Sequence, residues 1–158
     1  MTAVAQSNVW QLAPAHSSAQ FAVRHMGIFT VRGTFTKLSG SAHYDTADAK
    51  NDSVEVTIEP ASVDTRVEMR NNDLRSDHFF EVQKYPTMTF RSTKIESVGA
   101  DKLKIIGDLT IRGVTKPVTL AVEGPSKPIN DGQGHLYMGV SASGTRNRTD
   151  FGMTGYQG

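Results

Sequence analysis

The 158 residues fit a single domain, 1–158, and a chain of this size buries on the order of 70% of its unfolded surface, enough for a self-sufficient core. Seventeen Lys and Arg against sixteen Asp and Glu leave a net charge of +1, with both signs interspersed, so the strongly basic footprint of a nucleic-acid binder is missing. The absence of cysteine excludes a disulfide framework, a thiolate metal site and a cysteine nucleophile together.

The opening MTAVAQSN carries no positive n-region and no apolar run of signal-peptide length. The chain as written is therefore expected to be cytoplasmic, and periplasmic if a native leader has been removed. No run of about 18 apolar residues occurs, so no transmembrane segment is expected.

Along the chain the apolar period is two rather than 3.6, in short segments separated by Gly, Pro, Asn and Asp. Val9 to Leu12 opens the series, and Ala19, Phe21 and Val23 alternate next. Phe35 marks a third strand, and Val54, Val56 and Ile58 alternate with Ser53, Glu55, Thr57 and Glu59 in a fourth, the pattern of a strand with one buried face. Asp64 to Phe80 then breaks the period. It is rich in helix formers, and a short helix is expected around residues 65–80, capped by Asp64 or Thr65 with Glu68 near its positive end. Pro86 ends the excursion. Met88 with Phe90, then Leu103, Ile105, Leu109 and Ile111, then Val114, Val118, Leu120 and Val122, and finally Met138, Val140 and Ala142 complete about eight strands, close to the number at which a closed antiparallel barrel encloses one small ligand. Gly33, Gly40 and Gly107 lie inside strand patterns, where glycine marks a bulge or a barrel corner. Arg112-Gly113 reads as a tight hairpin.

Catalytic and metal constellations are thin. His16, His25, His43, His78 and His135 form no H-x-H, H-x-x-x-H or H-E-x-x-H set, so no metal site is expected. Ser17, Ser39, Ser141 and Ser143 sit in no G-x-S-x-G elbow, and strand or turn polarity explains them. No catalytic residues are assigned.

Several ordered blocks together resemble the YceI-like family of lipid-binding proteins. They are Trp10-Gln11-Leu12 with His16-Ser17-Ser18, Phe21-Ala22-Val23-Arg24-His25, Val31-Arg32-Gly33-Thr34-Phe35, Ala61-Ser62-Val63-Asp64-Thr65, Leu74-Arg75-Ser76 with Phe79-Phe80, Lys84-Tyr85-Pro86, Gly107 to Val118, and Asn147 to Met153. The resemblance implies an extended, lipocalin-like, eight-stranded antiparallel barrel holding a polyisoprenoid, an isoprenoid quinone or a similar long amphiphile, with no other cofactor. The chain departs from the family pattern at Asn71, Asp73 and His78, where Asp, His and Asp are common, and in stopping at Gly158 before the family's final strand. A barrel left open there would expose two strand edges, which a homodimer would cover.

On this reading the lumen is lined by Phe21, Val23, His25, Phe35, Phe90, Leu109, Ile111, Val118, Leu120, Met138 and Phe151. Arg148 and Arg146 are candidates for the ligand's head group, since a guanidinium suits a pyrophosphate, while an Arg148–Asp150 structural pair is the equal alternative. The apolar stripes themselves are the same whether side chains or a ligand fill the interior. Two further functions stay open: a catalyst or redox partner acting on an isoprenoid or quinone head group, and an interaction module with a packed interior.

Overall fold

The structure, a computed structural model, describes residues 2–3, 8–45 and 49–155. Its strands are β1 (Thr2–Ala3), β2 (Val9–Gln11), β3 (Ala19–His25), β4 (Phe29–Phe35), β5 (Leu38–His43), β6 (Ser53–Ile58), β7 (Val63–Asp64), β8 (Met88–Gly99), β9 (Lys102–Ile111), β10 (Val114–Glu123), β11 (Ile129–Asn130), β12 (Leu136–Tyr137) and β13 (Ser141–Ser143), with one helix, α1 (Glu68–Arg75). Ten strands form a curled antiparallel half-barrel in the order β11-β12-β1-β2-β5-β6-β8-β9-β10-β13, and β3-β4-β7 form a second sheet. The expected all-β antiparallel architecture is present.

The strand count differs from the eight read in the sequence for local reasons. β5, which carried no apolar stripe of its own and was marked only by Gly40 inside a strand pattern, pairs Leu38, Gly40 and Ala42 with Ile58, Val56 and Val54 of β6, and its small residues give little alternation to read. Met138 belongs to no strand, and Val140 also precedes β13. Gly33 and Gly40 stand opposite Phe21 and Val56 in regular register, while Gly107 pairs with Val118 on one side and with Ser92, at the edge of a β8 bulge, on the other. The extra residues themselves are on β8, between Ser92 and Lys94, beside Gly107, and between Ser97 and Gly99. The Arg112-Gly113 hairpin is as expected: both residues have positive φ, 52° and 72°, and Ile111 pairs with Val114, the two-residue turn that matches strand twist.

The helix is shorter than expected, and its N-cap is Val67, without a side-chain bond. Asp64 and Thr65 are engaged elsewhere. The Arg66 amide donates to Asp64 Oδ1 at 2.8 Å, while the amide and hydroxyl of Thr65 both donate to Asn71 Oδ1, at 2.8 and 2.7 Å. Thr65 and Asn71 are 3% and 4% exposed, so this bond pair satisfies polar groups that water does not reach. Arg75 fastens the other end, donating to the carbonyls of Ala61 and Val63.

The core sits in two clusters on the apolar side of the sheets. Trp10, Ala42 and Met138 pack with Tyr44 and Val54. Phe35, Val63 and Met88 pack with Ala19, Phe21, Ile58, Leu74, Phe80 and Ile111, so the helical excursion covers the end of the half-barrel where β6, β7 and β8 meet. Among the described residues β10 has β13 beside it only over Ala121–Glu123, and β3 has β4 alone.

Asn71→Ala removes the single acceptor of two buried donors, and it is expected to cost about 2–3 kcal/mol. Met69→Ala, at a site 84% exposed, is expected to stay within about 0.5 kcal/mol. Urea denaturation of the two variants checks the difference.

Candidate functional site

The pleat sends alternate residues to opposite faces, and register then decides which residues become neighbours. One row crosses the large sheet as Gly40, Val56, Phe90, Leu109 and Lys116, each opposite the next. On the same face Leu103, Ile105, Gly107 and Ile111 of β9 stand opposite Val122, Leu120, Val118 and Val114 of β10. The bulge after Ser92 shifts β8 by one residue and keeps Ile95 on this face, opposite Ile105. The result is an inner wall of mainly apolar side chains, interrupted on β10 by the exposed Lys116. β9 and β10 are each ten residues long, about 33 Å at 3.3 Å per residue.

The opposite face is ionic. Arg91 Nε lies 2.9 Å from Glu55 Oε1, and Lys94 Nζ lies 2.6 Å from Glu96 Oε1. The hydrogen bond from Lys94 holds the Glu96 carboxyl below its usual range. These are solvated pairs that contribute little stability, but they fix which side faces water.

Two glycines shape the wall. A Cβ on Gly33 would collide with the Phe21 ring, and one on Gly107 would come 2.6 Å from Phe90 Cζ and 2.5 Å from the Arg91 carbonyl. Each ring therefore lies across the bare backbone of the neighbouring strand rather than standing up from it, and the wall is flatter than its sequence suggests. Phe21 also packs on Phe35, with centroids 5.5 Å apart.

The expected lumen residues distribute as follows. Phe35, Val118, Met138 and Phe151 are buried, at 6%, 3%, 4% and 1% exposure. Phe21, Phe90, Leu109, Ile111 and Leu120 are half-buried, and Val23 and His25 are exposed. Phe21, Phe35 and Ile111 come together in one cluster, Phe90 and Leu109 are direct cross-strand neighbours, and Met138 lies in the other cluster against Trp10. Trp10, Val56 and Met88, absent from the expected set, share the inner face with these. Their alternation was legible, but the pairing of their strands was not.

Arg146 is exposed. Arg148 Nη1 donates to the carbonyls of Met153 and Gly155 at 2.9 and 2.6 Å, and its guanidinium lies 5.3 Å from the centre of the Phe79 ring. It thereby ties down the turn that carries the buried Phe151, a 3-10 helix over Arg148–Phe151. Arg112 reinforces the same end, donating to the Gly152 carbonyl at 2.6 Å and to Glu81 Oε2 at 3.1 Å. The Gly155 amide donates to the His78 carbonyl at 3.1 Å.

A groove of about 790 Å³ opens on the three-stranded sheet, lined by Gln20, Phe21, Ala22, Arg32, Gly33, Thr34, Asp64 and Arg66. A second, of about 320 Å³, lies between β10 and β13 and includes Val98 and Leu103. No helix among the described residues is long and apolar enough to cross a membrane.

The YceI-like domain family matches residues 10–158. A UPF0312 protein of Vibrio vulnificus is 39% identical over 109 residues, covering 69% of this chain and 58% of the relative. The chain thus spans a little over half the length of that relative. The crystal structure of the Campylobacter jejuni YCEI protein superposes with a TM-score of 0.73 at 36% identity, covering 90% of this chain and 83% of that one. A polyisoprenoid binding domain from Saccharophagus degradans shares the fold, with a TM-score of 0.54 at 20% identity over 78% of this chain and 71% of its own.

His78 offers a pH test of the covered end. Its Nδ1 lies 2.9 Å from Asp73 Oδ1, and this hydrogen bond raises its pKa above the ordinary 6.5. Because the folded value is the higher one, the contribution to stability is complete below pH 6.5 and is lost as pH rises through the folded value. An NMR titration is expected to place His78 above 6.5, with Asp73→Asn returning it toward that value.

Proposed function

The chain belongs to the YceI-like domain family, and on that premise we propose that it binds a long-chain isoprenoid, polyprenyl or quinone-like, or a similar amphiphile against its inner wall, as a non-covalent carrier or store. The observation that carries the reading is the one-sided wall itself: half-buried Phe90, Leu109, Ile111 and Leu120 on a face whose reverse side is ion-paired. Half-buried apolar side chains in an ordered row leave area that an apolar tail removes from water. The Saccharophagus degradans domain, described as polyisoprenoid-binding, lends support through the shared fold.

Magnitudes place the affinity in the tail. At about 0.8 kcal/mol per buried CH₂, each isoprene unit contributes on the order of 4 kcal/mol. Eight units would sum to about 30 kcal/mol, above the roughly 20 kcal/mol ceiling of non-covalent binding. Tail ordering and incomplete burial consume the difference. Tail length and wall shape then set affinity, and polar groups near the ends set selectivity. No bond is made or broken, so a released ligand is chemically unchanged.

Leu109 is the position to test. It is half-buried on the inner face, between Phe90 and Lys116, and an indole there stands up from the wall without filling a closed core. Leu109→Trp is expected to keep a cooperative melt while weakening uptake of a long-chain prenol at least tenfold, measured by titration with a fluorescent prenol. Unchanged uptake would remove the wall from the binding reading.

A further inference from the structure

The hairpin of β3 and β4 reverses at Met26 and Gly27, both with positive φ, 54° and 70°, and the Ile28 amide donates to the His25 carbonyl at 3.3 Å. His25 pairs with Phe29, so Met26, Gly27 and Ile28 form a three-residue loop, and its two successive left-handed positions are ones that Asn and Gly fill at least cost. Here methionine holds the strained first position, with Ile28 and Phe29 following. Met26 is 64% exposed, Ile28 70% and Phe29 57%. Polar residues are cheapest at an exposed turn, so an apolar tip on an unfavourable backbone breaks a local rule, and such breaks cluster at functional surfaces.

The charge carried by the hairpin itself has one sign, although Asp64, opposite Thr34 at its base, shares the groove that Arg32 lines. The first carboxylate of the chain is Asp45, so the whole hairpin carries no acid. Arg24 and Arg32 are exposed on it, and Arg24 Nη1 donates to the Gly27 carbonyl at 3.2 Å, which holds a cation at the turn. An apolar knob with a cationic collar is complementary to an anionic bilayer: the side chains enter the acyl boundary and the guanidiniums stay at the phosphates. Insertion of apolar side chains and attraction to anionic headgroups are each weak here, and the two add. Three side chains on a turn offer only a few hundred Å², short of the roughly 1,200 Å² at which stable protein interfaces begin, so a second copy is the poorer occupant.

We propose that the tip at Met26, Ile28 and Phe29 docks the protein on anionic membranes. This rests on the lipid-binding reading in one respect, since docking brings the inner wall to a source of ligand.

Flotation with vesicles tests it, using phosphatidylcholine alone and two parts phosphatidylcholine to one part phosphatidylglycerol. The protein is expected to float with the mixed vesicles, and less so as salt rises. Ile28→Ser with Phe29→Ser is expected to reduce flotation at least tenfold, and Arg24→Gln with Arg32→Gln to abolish the preference for phosphatidylglycerol. Met26→Asn supplies the residue this turn favours, so it is expected to keep the melting temperature while lowering flotation. Absence of flotation by the parent, or equal flotation by the folded Met26→Asn and serine variants, overturns docking. So does loss of a dimer in those variants with flotation unchanged, which would assign the tip to a second copy. Prenol delivered from solvent separates the two readings: the serine variant is expected to take it up like the parent, and failure of uptake by a parent that floats overturns lipid binding alone.

Discussion

The pleat of β8, β9 and β10 imposes the constraint on which the rest of the molecule depends. With Phe90, Leu109 and Ile111 on one side and Glu55, Arg91 and Glu96 on the other, the sheet has one wet face and one that must leave water. Curling around the apolar face is the response available to a sheet of this width without a second layer of similar size. A slip of one residue between any two of these strands would turn a stripe of valines and leucines outward. The bulge after Ser92 has the opposite consequence: with the extra residue, Ile95 pairs with Ile105 on the inner face.

Two parts of the molecule differ in how they treat apolar side chains. At one end α1, Phe80 and the turn carrying Phe151 cover the wall. Arg75, Arg112 and Arg148 hold them by donating to main-chain carbonyls, which lets three cations serve as clamps. The β3–β4 hairpin carries its apolar residues outward instead, at Met26, Ile28 and Phe29.

The stripes of β9 and β10 were legible because large apolar residues recur at every second position except Gly107 and Lys116, and a left-handed Arg112-Gly113 turn joins them. β5 was not, because Leu38, Gly40 and Ala42 do their inward packing with little side chain. The helix limits were misread because Asp64 and Thr65 look like caps, and only the fold reveals that Asn71 and Arg66 engage them. Glycine in a strand signals close approach of something, yet that Phe21 covers Gly33 and Phe90 covers Gly107 depends on contacts between residues 12 and 17 positions apart, which no local pattern encodes. Arg148 is the same kind of case: a guanidinium near an aspartate suggests an ion pair or a ligand contact, whereas its carbonyl partners at Met153 and Gly155 emerge only from the turn's geometry. Family resemblance covered the site as a whole, while the division of its residues into buried, half-buried and exposed came from the register.

The inner wall is either a binding surface or a core, and one experiment separates them most directly. Native mass spectrometry of the freshly purified protein, followed by denaturation and identification of the released small molecule, reads the contents of the wall without a mutation. A binding wall gives a mass above that of the polypeptide and releases a stoichiometric long-chain lipid, or takes up a long-chain prenol when offered one. A polypeptide mass alone, unchanged after exposure to prenol, contradicts lipid binding and makes the wall a packed interior.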